Sequence, residues 1–140
     1  MELRAVQNES GSFRWRSVGA VFAGFFVGAV LSLGTDEVLH LLSVYPPWGQ
    51  TMSDGVSLLA TAYRIVFNIM GCYVAACLAP DRPMRHALII GFIGLVLGGL
   101  AAAGTWNTVP PLGPHWYAVV VALISVPCAW VGGVLQSKSK

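Results

Sequence analysis

The chain contains a short polar segment, Thr35, Asp36, Glu37 and His40, at the end of its first long apolar run. Carboxylates and imidazoles exchange protons, pair with cations and ligate metals. Glu37 and His40 are three residues apart, so a helix places both on one face, as in carboxylate-bridged di-iron bundles. Such a centre needs a second Glu-x-x-His and two further acids, whereas this spacing occurs once here. We therefore expect no metal and no cofactor.

The composition indicates that these groups belong to a membrane protein. The chain has 140 residues, of which 56% are hydrophobic and 10% charged, and this is too apolar for a soluble domain. A helix of roughly 20 apolar residues crosses about 30 Å of hydrocarbon, where the backbone must satisfy its own hydrogen bonds. We predict an all-α polytopic membrane protein, a single transmembrane domain of residues 1–140 forming a four-transmembrane-helix bundle. The predicted spans are residues 18–40, 56–79, 86–105 and 116–135.

The basic residues indicate the orientation of these spans. Seven of the eight lie in the first 17 residues, the link 80–85 or the C-terminal tail: Arg4, Arg14, Arg16, Arg82, Arg85, Lys138 and Lys140. The links 43–55 and 106–115 contain no Lys or Arg. Because positive residues that flank spans stay cytoplasmic, we expect a multi-pass protein of the cell inner (plasma) membrane with both termini cytoplasmic. The lipid bilayer is then the expected partner, and no nucleic acid is expected.

Small residues recur at helical spacing within all four predicted spans. Such residues let membrane helices approach closely, so we expect them to form helix-packing faces. They also suggest self-association, either as a homo-oligomer or with a membrane protein partner. The glycines assigned to packing are Gly24, Gly28, Gly71, Gly91, Gly94, Gly98 and Gly132.

Arg64 is the basic residue that lies inside a predicted span. At 1.5 Å per residue, Arg64 is about 27 Å from Arg82, and Asp36 is about 30 Å from Arg16. Both levels are near the outer boundary of the hydrocarbon, where an arginine is expected to pair or to reach toward the interface. Asp36 is the expected partner and Glu37 the alternative. The predicted polar layer or ligand pocket comprises Asp36, Glu37, His40, Arg64, Asn68, Trp106, Asn107 and His115.

Three classes of function fit these features. A non-catalytic accessory or self-associating bundle agrees with the glycine faces, and this is our first hypothesis. A small transporter or ligand-binding protein would use Asp36, Glu37 and Arg64. Four spans with a carboxylate in the first resemble the small multidrug resistance transporters, whose glutamate, however, lies near mid-membrane. A membrane enzyme is the third class.

The enzyme hypothesis rests on one local pattern. Arg64-x-x-x-Asn68 resembles the Arg-x-x-x-Asn-x-x-Glu pattern of the membrane-associated eicosanoid and glutathione metabolism proteins. Gly71 stands where that pattern has its glutamate, and no nucleophile–base pair or phosphate loop is present elsewhere in the sequence. We therefore do not expect an enzyme.

Three connecting segments carry a resemblance over the whole chain. They are Tyr45-Pro46-Pro47-Trp48, the loop from Ala79 to His86, and Gly113-Pro114-His115-Trp116-Tyr117. With these segments the chain resembles small bacterial four-span inner-membrane proteins of uncharacterised function. The resemblance implies a location and an architecture but no activity.

Overall fold

Four long helices account for most of the chain in the computed structural model, which describes residues 2–139 and their side chains from residue 14 onward. The helices are α1 (Glu2–Leu41), α2 (Asp54–Leu78), α3 (Pro83–Thr105) and α4 (His115–Lys138). Each has a segment long and apolar enough to cross a membrane: Arg14–Leu41, Asp54–Leu78, Pro83–Thr105 and His115–Lys138. The predicted all-α architecture with four candidate membrane-spanning helices is therefore confirmed. The side chain of Arg4 and the residue Lys140 lie outside the described part.

α2 is the central helix of the bundle, because it contacts each of the other three helices. α1 packs mainly on α2 and only lightly on α3, while α3 packs closely on α4. In the described part of the chain, α1 and α4 make no contact. The contact between α1 and α3 is therefore the loosest between any two helices that touch.

The seven glycines predicted to pack helices all lie against a neighbouring helix of the same chain. A Cβ atom on Gly24 would lie 2.6 Å from the Cβ of Ala75, and one on Gly132 would lie 2.8 Å from the Cβ of Cys72. Both distances are too short for real carbon–carbon contacts. Gly28 and Gly71 face each other between α1 and α2, and Gly91, Gly94 and Gly98 face α4. These glycines therefore allow neighbouring helices of the chain to approach closely.

Small side chains fill the centre of the bundle and large ones face outward. The buried cluster consists of Cys72, Ala75, Ala76, Ala87, Ile90 and Ala129. By contrast, Phe22 and Phe26 of α1 and Phe92 of α3 are each about two-thirds exposed. Lipid tails solvate large apolar side chains, so helix association in a bilayer depends on close packing rather than on burying such groups.

A pair of alanine substitutions in α1 tests this packing. Gly24→Ala should lower the stability of the bundle by about 1–3 kcal/mol, because the added methyl group overlaps α2. Gly19→Ala is the matched control, since nothing lies within 4 Å of its Cβ position. It should be neutral or stabilising by up to about 1 kcal/mol through its helix propensity. Unfolding in mixed micelles measures both, and equal responses would show that α1 does not pack through Gly24.

Candidate functional site

α1 and α2 meet near one end of the bundle through an ion pair. The Nη2 atom of Arg64 lies 2.5 Å from Oδ2 of Asp36, and the two side chains are only 28% and 14% exposed. The pairing predicted from matched depth is therefore present, and Asp36 rather than Glu37 is the partner. Arg64 faces inward because it shares a helix face with Ala60 and Gly71, which are both buried.

Two tyrosines that the sequence analysis did not assign to the site complete the contacts of Asp36. The hydroxyl of Tyr63 donates a hydrogen bond to Oδ1 of Asp36. The hydroxyl oxygens of Tyr63 and Tyr45 are 2.6 Å apart. Because the single hydroxyl hydrogen of Tyr63 goes to Asp36, Tyr45 must donate to Tyr63. Burial raises the pKa of Tyr45 still further above neutral pH, so this donor keeps its proton there. Both oxygens of Asp36 are thus engaged.

An outer cavity of about 270 Å³ lies between α2, α3 and α4, next to Arg64. Its lining is mostly apolar, and its polar and aromatic residues are Arg64, Thr105, Trp106, His115 and Tyr117. The rings of Trp106 and His115 stack with their centroids 4.4 Å apart. His115 Nε2 also lies 3.0 Å from the carbonyl oxygen of Trp106. Two predicted residues, Trp106 and His115, therefore share this cavity with Arg64.

The two Pro-rich links, 42–53 and 106–114, line one end of the outer cavity. The Met52 amide donates to the carbonyl oxygen of Leu112 at 3.0 Å, and the Thr51 hydroxyl donates to the carbonyl oxygen of Pro111 at 2.6 Å. Met52 and Leu112 both line the cavity. The links are thus tied together over the space beside Arg64.

An inner cavity of about 170 Å³ lies on the other side of Arg64, between α1, α2 and α3. Arg64, Asn68 and Ser32 are its polar groups. Oδ1 of Asn68 accepts a weak hydrogen bond from the Cys72 thiol at 3.5 Å. The other lining residues are Gly24, Phe25, Gly28, Gly71, Ile90, Gly94 and Val121. Arg64 therefore borders both cavities.

The remaining predicted residues, Glu37, His40 and Asn107, line neither of these two cavities. Glu37 and His40 line a surface groove of about 690 Å³ near the first Pro-rich link. The ring of His40 stacks on Trp48 at 4.0 Å, and its Nδ1 lies 2.9 Å from the carbonyl oxygen of Asp36. Asn107 is exposed and belongs to none of the three spaces described. Within the described residues, no group of three His, Cys, Asp or Glu side chains could hold a metal.

The guanidinium of Arg64 has hydrogen-bonding capacity that Asp36 does not use. Of its five N–H donors, one on Nη2 bonds Asp36, while the buried Nε has no partner among the described residues. The rings of Tyr63 and Tyr117 lie 5.8 and 6.0 Å from its Cζ, within the range of cation–π contacts. The group is therefore held in place and still able to bind further acceptor oxygens.

Comparisons with protein-family models, with curated proteins and with solved structures found no match to this chain. The geometry and chemistry of the polar layer therefore provide the basis for a functional proposal.

A double-mutant cycle tests the ion pair. Arg64→Ala and Asp36→Ala should each destabilise the bundle by about 3 kcal/mol, because each leaves a largely buried charge without its partner. The double variant should cost much less than the sum, as expected for directly coupled groups. Glu37→Ala combined with Arg64→Ala is the control cycle, and its losses should be additive. Additive losses in the Asp36 cycle, measured by unfolding in mixed micelles, would contradict the pairing.

Proposed function

We propose that the chain is a non-catalytic, ligand-binding protein of the cell inner membrane, with both termini cytoplasmic and the layer around Arg64 facing outward. The distribution of basic residues supports the orientation. Arg82 and Arg85 flank the link at one end of the bundle, while the links 42–53 and 106–114 contain no Lys or Arg. In this orientation the outer cavity lies on the side away from the cytoplasm.

The observation that carries the binding proposal is the position of Arg64 beside an apolar cavity with donors to spare. Ligand sites are concave, mostly apolar and supplied with a few placed polar groups. The outer cavity, at about 270 Å³, has this character and is slightly smaller than the usual range of about 300–1,000 Å³. An arginine that only fixes helix register has no need of such a space.

Binding fits this layer better than proton transfer. Both carboxylate oxygens of Asp36 are engaged, by Tyr63 and by Arg64. A carboxylate held in this way serves as a fixed acceptor that positions the guanidinium. The ion pair thus prepares Arg64 for a ligand and takes no part in chemistry.

The glycine faces now give less support to self-association. They pack against helices of the same chain, so they do not by themselves supply a surface for a second copy. An accessory role beside another membrane protein is the competing proposal, and the experiment on ligand retention separates the two.

Cysteine labelling tests the orientation. In a variant without Cys72, Cys77 and Cys128, single cysteines at Gln50 and Asn107 should react with an impermeant thiol reagent added to intact cells. A single cysteine at Arg85 should react only after the membrane is opened. All three positions are exposed, so access to the reagent depends on the side of the membrane. Labelling of Arg85→Cys alone in intact cells would reverse the orientation.

Ligand retention tests the binding proposal. The protein extracted in mild detergent should carry a small molecule that native mass spectrometry detects. Ala118→Phe should abolish this retention, because residue 118 lines the outer cavity. The neighbouring Val119 is 38% exposed and lines neither cavity, so Val119→Phe should leave retention unchanged. A stoichiometric protein partner without any retained small molecule would favour the accessory role instead.

A further inference from the structure

The inner cavity is polar at one end and apolar along the rest of its length. Arg64, Asn68 and Ser32 lie at the outer end, and Gly24, Gly71 and other small or apolar residues line the deeper part. Arg64 and Gly71 are seven residues apart on one helix, so the cavity extends over about 10 Å of the bundle axis. A volume of about 170 Å³ over this length corresponds to a cross-section of about 17 Å². The space is therefore long and about as wide as one hydrocarbon chain, whose carbon atoms need contact distances of about 4 Å.

The surface between α1 and α3 connects this cavity to the bilayer. These two helices touch only lightly. Phe25 lines the inner cavity and is also 39% exposed, so it lies at the boundary between the cavity and the surrounding lipid. A ligand that resides in the membrane can reach the cavity sideways, without crossing water.

The polar end of the cavity offers hydrogen-bond donors. Arg64 has N–H groups beyond the one that bonds Asp36, Asn68 has an amide NH₂ group, and Ser32 has a hydroxyl. The acceptor of the layer, Asp36, already receives hydrogen bonds from Tyr63 and Arg64. A headgroup that carries several acceptor oxygens complements this arrangement, and a guanidinium binds carboxylate and phosphate groups with two parallel hydrogen bonds.

We propose that the protein binds a single-chain amphiphile with a carboxylate or phosphate headgroup. The headgroup contacts Arg64, Asn68 and Ser32, and the hydrocarbon chain lies in the inner cavity after entering between α1 and α3. Because Arg64 also borders the outer cavity, any part of the headgroup that extends further lies there. This inference rests on the proposed ligand-binding function and names the class of ligand.

Photolabelling of the protein in phosphatidylcholine nanodiscs tests the proposal. The probe is decanoate with a diazirine at the end of its chain, and the labelled residues are mapped by peptide mass spectrometry. Labelling should be saturable and should fall near Gly24, Gly71 and Ile90. Unlabelled decanoate or decyl phosphate should compete, and whichever competes better identifies the headgroup. Decyltrimethylammonium should compete poorly, and stronger competition from it would overturn the headgroup assignment.

A matched pair of leucine substitutions tests the position of the chain. Gly28→Leu adds bulk at the wall of the inner cavity, with its Cβ 3.4 Å from the carbonyl oxygen of Phe67, whereas Gly19→Leu on the same helix has nothing within 4 Å of its Cβ position. Gly28→Leu should weaken decanoate binding about tenfold or more, and Gly19→Leu should not change it. Acetate has the carboxylate without the hydrocarbon chain and should bind equally to both variants, which also shows that both are folded. If Gly28→Leu does not fold, mapping on the unmodified protein decides the question.

The outcomes distinguish this inference from the proposed function. Saturable labelling confined to Trp106, Tyr117 and their neighbours would overturn the chain position while leaving ligand binding in the outer cavity intact. Labelling that is not saturable and falls only on lipid-facing residues such as Phe22 and Phe26 would overturn the inference. If, in addition, no molecule is retained by the extracted protein, the proposed function fails as well.

Discussion

The constraint on which the site depends is the free-energy cost of an arginine within a membrane-spanning helix. A charged side chain in hydrocarbon costs about 2.5–3.5 kcal/mol at the centre of a span, and the cost falls toward the interface. Arg64 lies near the end of the bundle and has a carboxylate partner on a different helix. Tyr63 and Tyr45 extend the hydrogen bonding from that carboxylate toward the first Pro-rich link. The ion pair of Arg64 thus connects α1 to α2, and the two tyrosines extend this network to the first Pro-rich link.

The small residues of the bundle have one of two effects, depending on where they lie. They allow either close packing of helices or open space beside Arg64. Where glycines lie against a facing backbone away from the inner cavity, as at Gly91 and Gly132, they allow close contact between helices. Gly28 and Gly94 also touch a neighbouring helix but border the inner cavity beside Arg64. The absence of a side chain therefore allows close helix packing at the first pair of glycines and leaves open space beside Arg64 at the second pair. The light contact between α1 and α3 leaves that space near the lipid.

Arg64 connects the two cavities, and this explains why the polar layer suits an amphiphile. A guanidinium engaged by one carboxylate through a single nitrogen is oriented and still has free donors. On one side of it lies a narrow apolar cavity near the bilayer, and on the other lies a larger cavity bordered by the two hydrogen-bonded links. An amphiphile fits this arrangement, because its apolar end suits the narrow cavity and its polar end suits Arg64.

The sequence by itself determined the properties that depend on distance along the chain. The four spans follow from the thickness of the hydrocarbon and from the need of the backbone to satisfy its hydrogen bonds within helices. The matched depth of Asp36 and Arg64 follows from a constant rise per residue, and the packing glycines follow from the helical period.

The tertiary structure decided what depends on the rotation of each helix and on contacts between distant segments. Asp36 and Glu37 differ by about 100° around one helix, so depth could not choose between them. Tyr45 reaches the site because the chain folds back over 18 residues to Tyr63. Asn107, at a similar depth, lies exposed in a link. Neither periodicity nor spacing describes how separate elements turn toward one another, and that arrangement forms the two cavities.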